Sequence, residues 1–230
     1  MKRLLVTCAV AAIACGCSPS EDAAQSAEKK AEATPEAIAG DAPSGDYTLD
    51  KSHASLIFRV NHIGFSQYTA QFMDFDAQLH LDTKDPKASR VTATIDPMSL
   101  MISTPPAGFL DTLLGEKWLS AAAFPQMTFR STKVEVIASK RALVTGELLL
   151  KGVTKPVTLE VTFNGGYPGH PYDPNARVGF SARGSLKRTD FGVSEGVPPP
   201  GSTMGVGDDV EIIIEAEFNG PALKTSATTP

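Results

Sequence analysis

Past its first 17 residues this 230-residue chain contains no cysteine. Cys8, Cys15 and Cys17 are its three cysteines, so neither a disulfide nor a thiolate metal site is available to the folded part. A surplus of positive charge is lacking too. The formal net charge is −5 with no basic stripe, which excludes the electrostatic footprint of a nucleic-acid binder. The four histidines, His53, His62, His80 and His170, show no metal-ligand spacing. Helical patterning is confined to residues 107–122, AGFLDTLLGEKWLSAA, where Leu110, Leu113 and Leu114 recur at helical spacing. One or two short helices are expected there, far too few for parallel βαβ repeats.

The N-terminus reads as an export signal. Lys2 and Arg3 precede an apolar run, Leu4 to Ala14, that is too short to span a membrane. The run ends Ala14-Cys15-Gly16-Cys17. This resembles a bacterial lipobox in which Cys17 becomes the lipidated N-terminal residue. Cys15 is a second candidate, and an ordinary cleaved signal is the alternative. Several acyl chains anchor stably where one holds marginally, since each buried CH₂ contributes about 0.8 kcal/mol. By analogy with Gram-negative lipoproteins, Ser18 after Cys17 points to the periplasmic face of the outer membrane. Loss of residues 1–16 removes Lys2 and Arg3 and no acid, taking the charge from −5 to −7. Residues 18–45, rich in Ala, Glu, Ser, Lys and Pro, have too few apolar side chains to offset the entropy of ordering. They read as a flexible tether with a reach of about 30 Å. Residues 219–230 read as a loose tail.

The stretch between, residues 46–218, reads as strands. Val157, Leu159, Val161 and Phe163 alternate with Thr158, Glu160 and Thr162, and Val144, Gly146, Leu148 and Leu150 share one face of the preceding run. Period two with one dry side marks half-buried strands. Lys151-Gly152-Val153-Thr154-Lys155-Pro156 connects the two runs as a turn, with Pro156 at the mouth of the second strand. One hairpin cannot hide its dry face alone. Similar alternation runs through Ala54–His62, Phe75–Leu81, Val91–Ile95, Met127–Val136, Val178–Leu186 and Val210–Phe218, with Tyr47 and Leu49 opening the domain. About eight strands of this kind predict an all-β antiparallel barrel or sandwich, and a closed barrel of that size holds one ligand or is filled by side chains.

Two catalytic motifs occur out of context. Gly192-Val-Ser194-Glu-Gly196 matches a nucleophile elbow, but Val-Pro-Pro-Pro follows where a helix is required, and the last histidine lies upstream. Asp190-Phe191-Gly192 matches a kinase magnesium motif without its phosphate loop. The simpler reading has Arg188 and Asp190 fixing a strand end while Phe191 packs inward. No catalytic residue and no metal site is assigned. Trp118, the single tryptophan, reads as a plug or core residue, with a channel-lining role as the alternative.

Several segments, in order, resemble the YceI-like family of bacterial secreted proteins. They are Tyr47-Thr-Leu-Asp50 with His53-Ala-Ser-Leu-Ile-Phe58 and Val60-Asn-His62, taken as an opening pair of strands; Ser99-Leu100; Phe124-Pro125 with Phe129-Arg-Ser131; Gly146-Glu-Leu-Leu-Leu-Lys-Gly152-Val-Thr-Lys-Pro156; Gly179-Phe180; Arg188-Thr-Asp190-Phe191-Gly192; and Val206-Gly-Asp208-Asp-Val210. The resemblance implies a lipocalin-like barrel enclosing a long apolar molecule, a polyisoprenoid such as a quinone tail or a fatty-acid derivative. It implies no catalysis and no required cofactor or metal, and it permits a homodimer. The expected wall is Leu56, Phe58, Val60, Phe75, Leu79, Ile95, Phe129, Val178, Phe180 and Ile212. His62 shares their parity, and reads either as a head-group ligand near one end or as a histidine satisfied by backbone. Residues 165–175 and the proline-rich 192–205 connection are departures from the family pattern. They are also the surfaces a competing reading would use, in which the barrel is a scaffold and its loops bind a protein partner.

Overall fold

A computed structural model describes residues 41–223. The export signal, both candidate lipidation cysteines, nearly all of the tether and the last seven residues lie outside them. The described chain forms β1 (Gly45–His62), β2 (Ser66–Phe72), β3 (Phe75–Leu81), β4 (Arg90–Ile95), β5 (Leu100–Ile102), α1 (Phe109–Leu114), β6 (Met127–Ala138), β7 (Arg141–Leu150), β8 (Val153–Tyr167), β9 (Asn175–Lys187) and β10 (Val206–Ala222). Eight of these strands close an antiparallel ring in the order β1, β3, β4, β6, β7, β8, β9, β10, sealed where β10 pairs with β1. The fold is an all-β, lipocalin-like barrel with one α-helix among the described residues.

The opening pair of strands is a single strand. Tyr47 and Leu49 have odd parity and Ala54 to His62 even parity, and a bulge between Leu49 and Ala54 reconciles the two. A bulge adds a residue and turns the next ones to the other face. β1 pairs with β3 along Gly45–Thr48 and with β2 along Leu56–His62. β2 therefore continues β3 past a break at residues 73–74. In the same way β5 continues β4 past a 3₁₀ turn at Pro97–Ser99 and pairs only with β2. At that end of the barrel no strand joins β5 to β6. The space is covered by α1 and its neighbours, with Phe109, Leu110, Leu113, Leu114 and Leu119 packed on Leu100 and Ile102.

The β7–β8 turn is tighter than expected. Leu150 pairs directly with Val153, so the loop is Lys151-Gly152 alone, with φ of 50° and 76°. Two left-handed residues make the hairpin turn whose twist matches the strands. Pro156 lies inside the ladder opposite Glu147. Alternation from the Leu150–Val153 pair aims its nitrogen away from β7. The β8–β9 ladder begins only at Leu159, so no donor is missed. On the same sheet, a Cβ at Gly146 would stand 2.4 Å from the Phe129 ring and 2.6 Å from the Arg130 carbonyl. The bare backbone leaves room for the Phe129 ring.

The far end is closed by a dense core of Tyr47, Leu49, Phe163, Ala176, Val178 and Phe218, onto which Ala42 packs. The Tyr47 hydroxyl donates to the Pro43 carbonyl at 2.7 Å, and burial pushes its pKa up to about 12. Residues 42–45, read as tether, thus belong to the barrel. β10 also runs past Phe218, where the loose tail was expected, with Ala222 opposite Asn175.

Candidate functional site: an apolar cavity through the barrel

The inward faces of the strands do not meet. Phe58, Phe75, Leu79, Leu148, Phe180 and Ile212 face the interior yet stay only half-buried. Between them lies a cavity of about 520 Å³, within the roughly 300–1,000 Å³ typical of small-molecule sites. Alternation makes the wall continuous, because every second residue of each strand must face inward.

Ten of the eleven residues expected at this wall line it: Leu56, Phe58, Val60, His62, Phe75, Leu79, Ile95, Phe129, Phe180 and Ile212. Val178 does not. It has the parity of Phe180 but lies two residues nearer the closed end, 1% exposed in the core beneath Ala42 and Tyr47. Three groups of lining residues escaped the sequence reading: Tyr68, Ala70 and Phe72 on β2, Leu100 and Ile102 on β5, and Phe109, Leu113 and Leu119 from the covering segment. Tyr68, Ala70 and Phe72 alternate with Gln67, Thr69 and Gln71, so the period-two signal was present. Phe58 and Phe72 meet at 5.5 Å on adjoining strands, and Phe180 lies between Phe163 at 5.5 Å and Phe218 at 6.1 Å.

Polar residues reach the lining only near its ends: His62, Tyr68, Trp118 and Arg188 toward α1, and Ser89 and Arg90 beside the closed core, where the Arg90 side chain faces outward with His80, its ladder partner. No Asp or Glu among the described residues lines it. His62 and Tyr68 lie 6.2 Å apart between ring centres, and neither side chain makes a hydrogen bond among the described residues. Trp118, expected as plug or core, lines the cavity and also lies under the Arg188 guanidinium, 5.1 Å from Cζ to ring centre. Such stacking stabilises a desolvated cation.

Arg188 is 5% exposed. Its Nε donates to Gly207 O, Nη1 to Val193 O and Glu195 O, and Nη2 to Val206 O, all within 3.0 Å. One guanidinium thereby pins both ends of the β9–β10 connection. Burial lowers its pKa, but an arginine stays charged. Phe191 packs inward as expected, 1% exposed. Asp190 takes no part: it is exposed and makes no hydrogen bond among the described residues. The strand end is held instead by Asp208, which accepts from the Thr189 N–H and hydroxyl, each at 3.0 Å. Ser194 is exposed in a turn with no helix after it.

The remaining histidines lie off the cavity. His80 faces outward and meets Asp46 at 2.7 Å. His53 bonds to Asp50 and Ser52 within the β1 bulge. His170 bridges Asp173 in the loop between β8 and β9. That loop, at the closed end, is latched by Arg177, whose guanidinium donates to Asp50 at 2.8 Å and to Asp173 and Glu217, each at 3.2 Å. Of the two loops that depart from the family pattern, only the β9–β10 connection contributes to the cavity, through Val193.

A family model described as "YceI-like domain" matches residues 47–218. The protein YceI of Salmonella arizonae is 37% identical over 182 residues, 77% of this chain and 88% of its own length. Among solved structures, Burkholderia cenocepacia BcnA superposes with a TM-score of 0.61 at 24% identity, over 74% of this chain and 98% of that one. A polyisoprenoid binding domain from Saccharophagus degradans, implicated in plant cell wall breakdown, superposes with a TM-score of 0.54 at 13% identity, over 76% and 98%. The order of strands, the cavity and the matched length agree, and the chain belongs to the YceI-like family.

Proposed function

We propose that this protein binds a long-chain amphiphile inside its barrel, a polyisoprenoid such as a quinone tail or a fatty-acid-type lipid, and carries or sequesters it in the periplasm from a lipid anchor at Cys17. The observation that supports this reading most is the hollow interior: a cavity of about 520 Å³ walled almost wholly by apolar side chains. A fold relative described as a polyisoprenoid binding domain supports the ligand class.

The energetics suffice without a cofactor. Burying about twenty carbons yields roughly 16 kcal/mol before costs. Ordering and immobilisation remove a large part of it. Half of it corresponds to a Kd of about 1 μM. Access from the α1 end breaks the fewest bonds. Outside the strands, every main-chain hydrogen bond of residues 106–124 stays within that segment, as in Leu119 N to Leu113 O and Ala121 N to Leu114 O. The segment is held to the barrel by apolar packing, the Arg188–Trp118 stack and one exposed ion pair, Lys117–Glu195 at 3.6 Å.

Native mass spectrometry of the protein purified without detergent from a bacterial periplasm, followed by organic extraction, tests the reading. A stoichiometric added mass that extracts as an isoprenoid or acyl lipid is expected. A clean apo mass that takes up neither quinones nor fatty acids refutes it.

A further inference from the structure

We infer that the bound amphiphile carries an anionic head, a carboxylate or a phosphate, and that this head sits at the α1 end between His62 and Tyr68 with the Arg188 cation behind it. The inference rests on the cavity being a lipid site, and concerns which lipid it takes. Three observations carry it. First, Arg188 is the buried charge at the α1 end of the lining, and no acid lines the cavity among the described residues. In a low-dielectric interior an uncompensated cation favours an anion far more than it would in water. Second, Arg188 has no carboxylate within 4 Å among the described residues. Asp208, the acid that bears on it, is committed to Thr189 and Lys187. Carbonyls take four of its hydrogen bonds, while Asp208, beyond 4 Å, offsets the loss of hydration of its charge only in part. Third, the neighbouring polar side chains are unspent. Val206, whose carbonyl accepts from Arg188, is the ladder partner of His62, and Tyr68 adjoins His62 on the next strand. An exposed imidazole and a half-buried phenol thus lie at the rim of an otherwise apolar cavity, the imidazole across the ladder from a carbonyl that the buried cation holds. Both donate to a carboxylate or phosphate oxygen.

Trp118 is the only tryptophan of the chain and stacks on Arg188, so its fluorescence reports occupancy. The full-length protein, stripped of lipid, is titrated with two matched pairs: palmitoleic acid against palmitoleyl alcohol, and farnesyl phosphate against farnesol. The acid member is expected to bind at least tenfold more tightly in at least one pair, and the pair showing the preference identifies the head. The double variant His62→Ala/Tyr68→Phe alters a rim rather than a core, and is expected to shrink the preference to under threefold, the acid members losing far more affinity than the alcohols. Equal binding of acid and alcohol overturns the inference yet leaves the cavity a lipid site. No binding of any of the four overturns the lipid site itself. A preference untouched in the double variant overturns the placement of the head between His62 and Tyr68.

Discussion

Ala93→Phe separates a hollow binding barrel from a scaffold. Ala93 sits mid-strand on β4 between Ala77 and Phe129, and its methyl lines the cavity. A phenylalanine there keeps its backbone conformation, since strands accept aromatics readily, and puts its ring into empty space. Six ring carbons displace roughly five methylenes of ligand, worth on the order of 4 kcal/mol, or nearly a thousandfold in Kd. The assay is calorimetric titration of lipid-stripped protein with acyl chains of increasing length. For the native chain each added CH₂ tightens binding about fourfold until the cavity is full, after which the gain stops. In Ala93→Phe the gain stops at a shorter chain, so long ligands lose most and short ones little. The empty variant is expected to melt no lower than the native protein, because the ring fills a void. An identical stopping length in both proteins, or no dependence on length in the native one, refutes the idea that the tail lies in the barrel.

Three further outcomes follow from the geometry. Gly146→Ala drives a methyl into the Phe129 ring and the Arg130 carbonyl; overpacking of about 2 kcal/mol lowers Tm by roughly 4–8 °C at this size, read by calorimetry. Arg188→Ala leaves four carbonyls of the β9–β10 connection without a donor, so a Glu-specific protease is expected to cut at Glu195 at least tenfold faster than in the native protein, by roughly the open-state population gained. The Asp50 carboxyl is held well below the usual carboxylate range by donation from Ser52, then His53, with Arg177 adding a third bond. A depressed folded-state pKa stabilises fully above the unfolded value near 4 and is lost as pH falls below it. Urea unfolding of Asp50→Asn should therefore show about 1–2 kcal/mol less stability at pH 7 and a shallower decline from pH 4 to pH 2 than the native chain.

What the sequence could and could not disclose follows from the kind of signal each feature leaves. Alternation is written in side chains, so the β7–β8 hairpin and most of the wall were legible from it, while the choice of a closed barrel over a sandwich came from the family resemblance. Val178 was misplaced because parity fixes the face of a strand but not the height along the barrel at which the interior becomes solid. That height is set by Ala42 and Tyr47 from outside β9. Arg188 reads from sequence as fixing a strand end together with Asp190. Its true partners are main-chain carbonyls 5 to 19 residues away, and backbone acceptors have no sequence signature.

Whether the barrel is filled or hollow lies deeper still. Leu148, Phe180 and Ile212 would alternate identically in either case; only their partial exposure on an inward face distinguishes the two. That exposure is itself a reason to expect an occupant. Apolar surface left uncovered inside a closed ring is unfavourable by about 25 cal/mol per Å², and small rearrangements of aliphatic side chains usually remove such voids. Here they do not. Bulges in β1 and β6 and the breaks between β2 and β3 and between β4 and β5 shape the wall, and Phe163, Phe180 and Phe218 brace one another near its closed end. A ring of strands closed on itself by backbone hydrogen bonds cannot shrink without giving up a strand. The fold keeps its interior open at a cost in stability, and a ligand tail of matching chemistry is what recovers it.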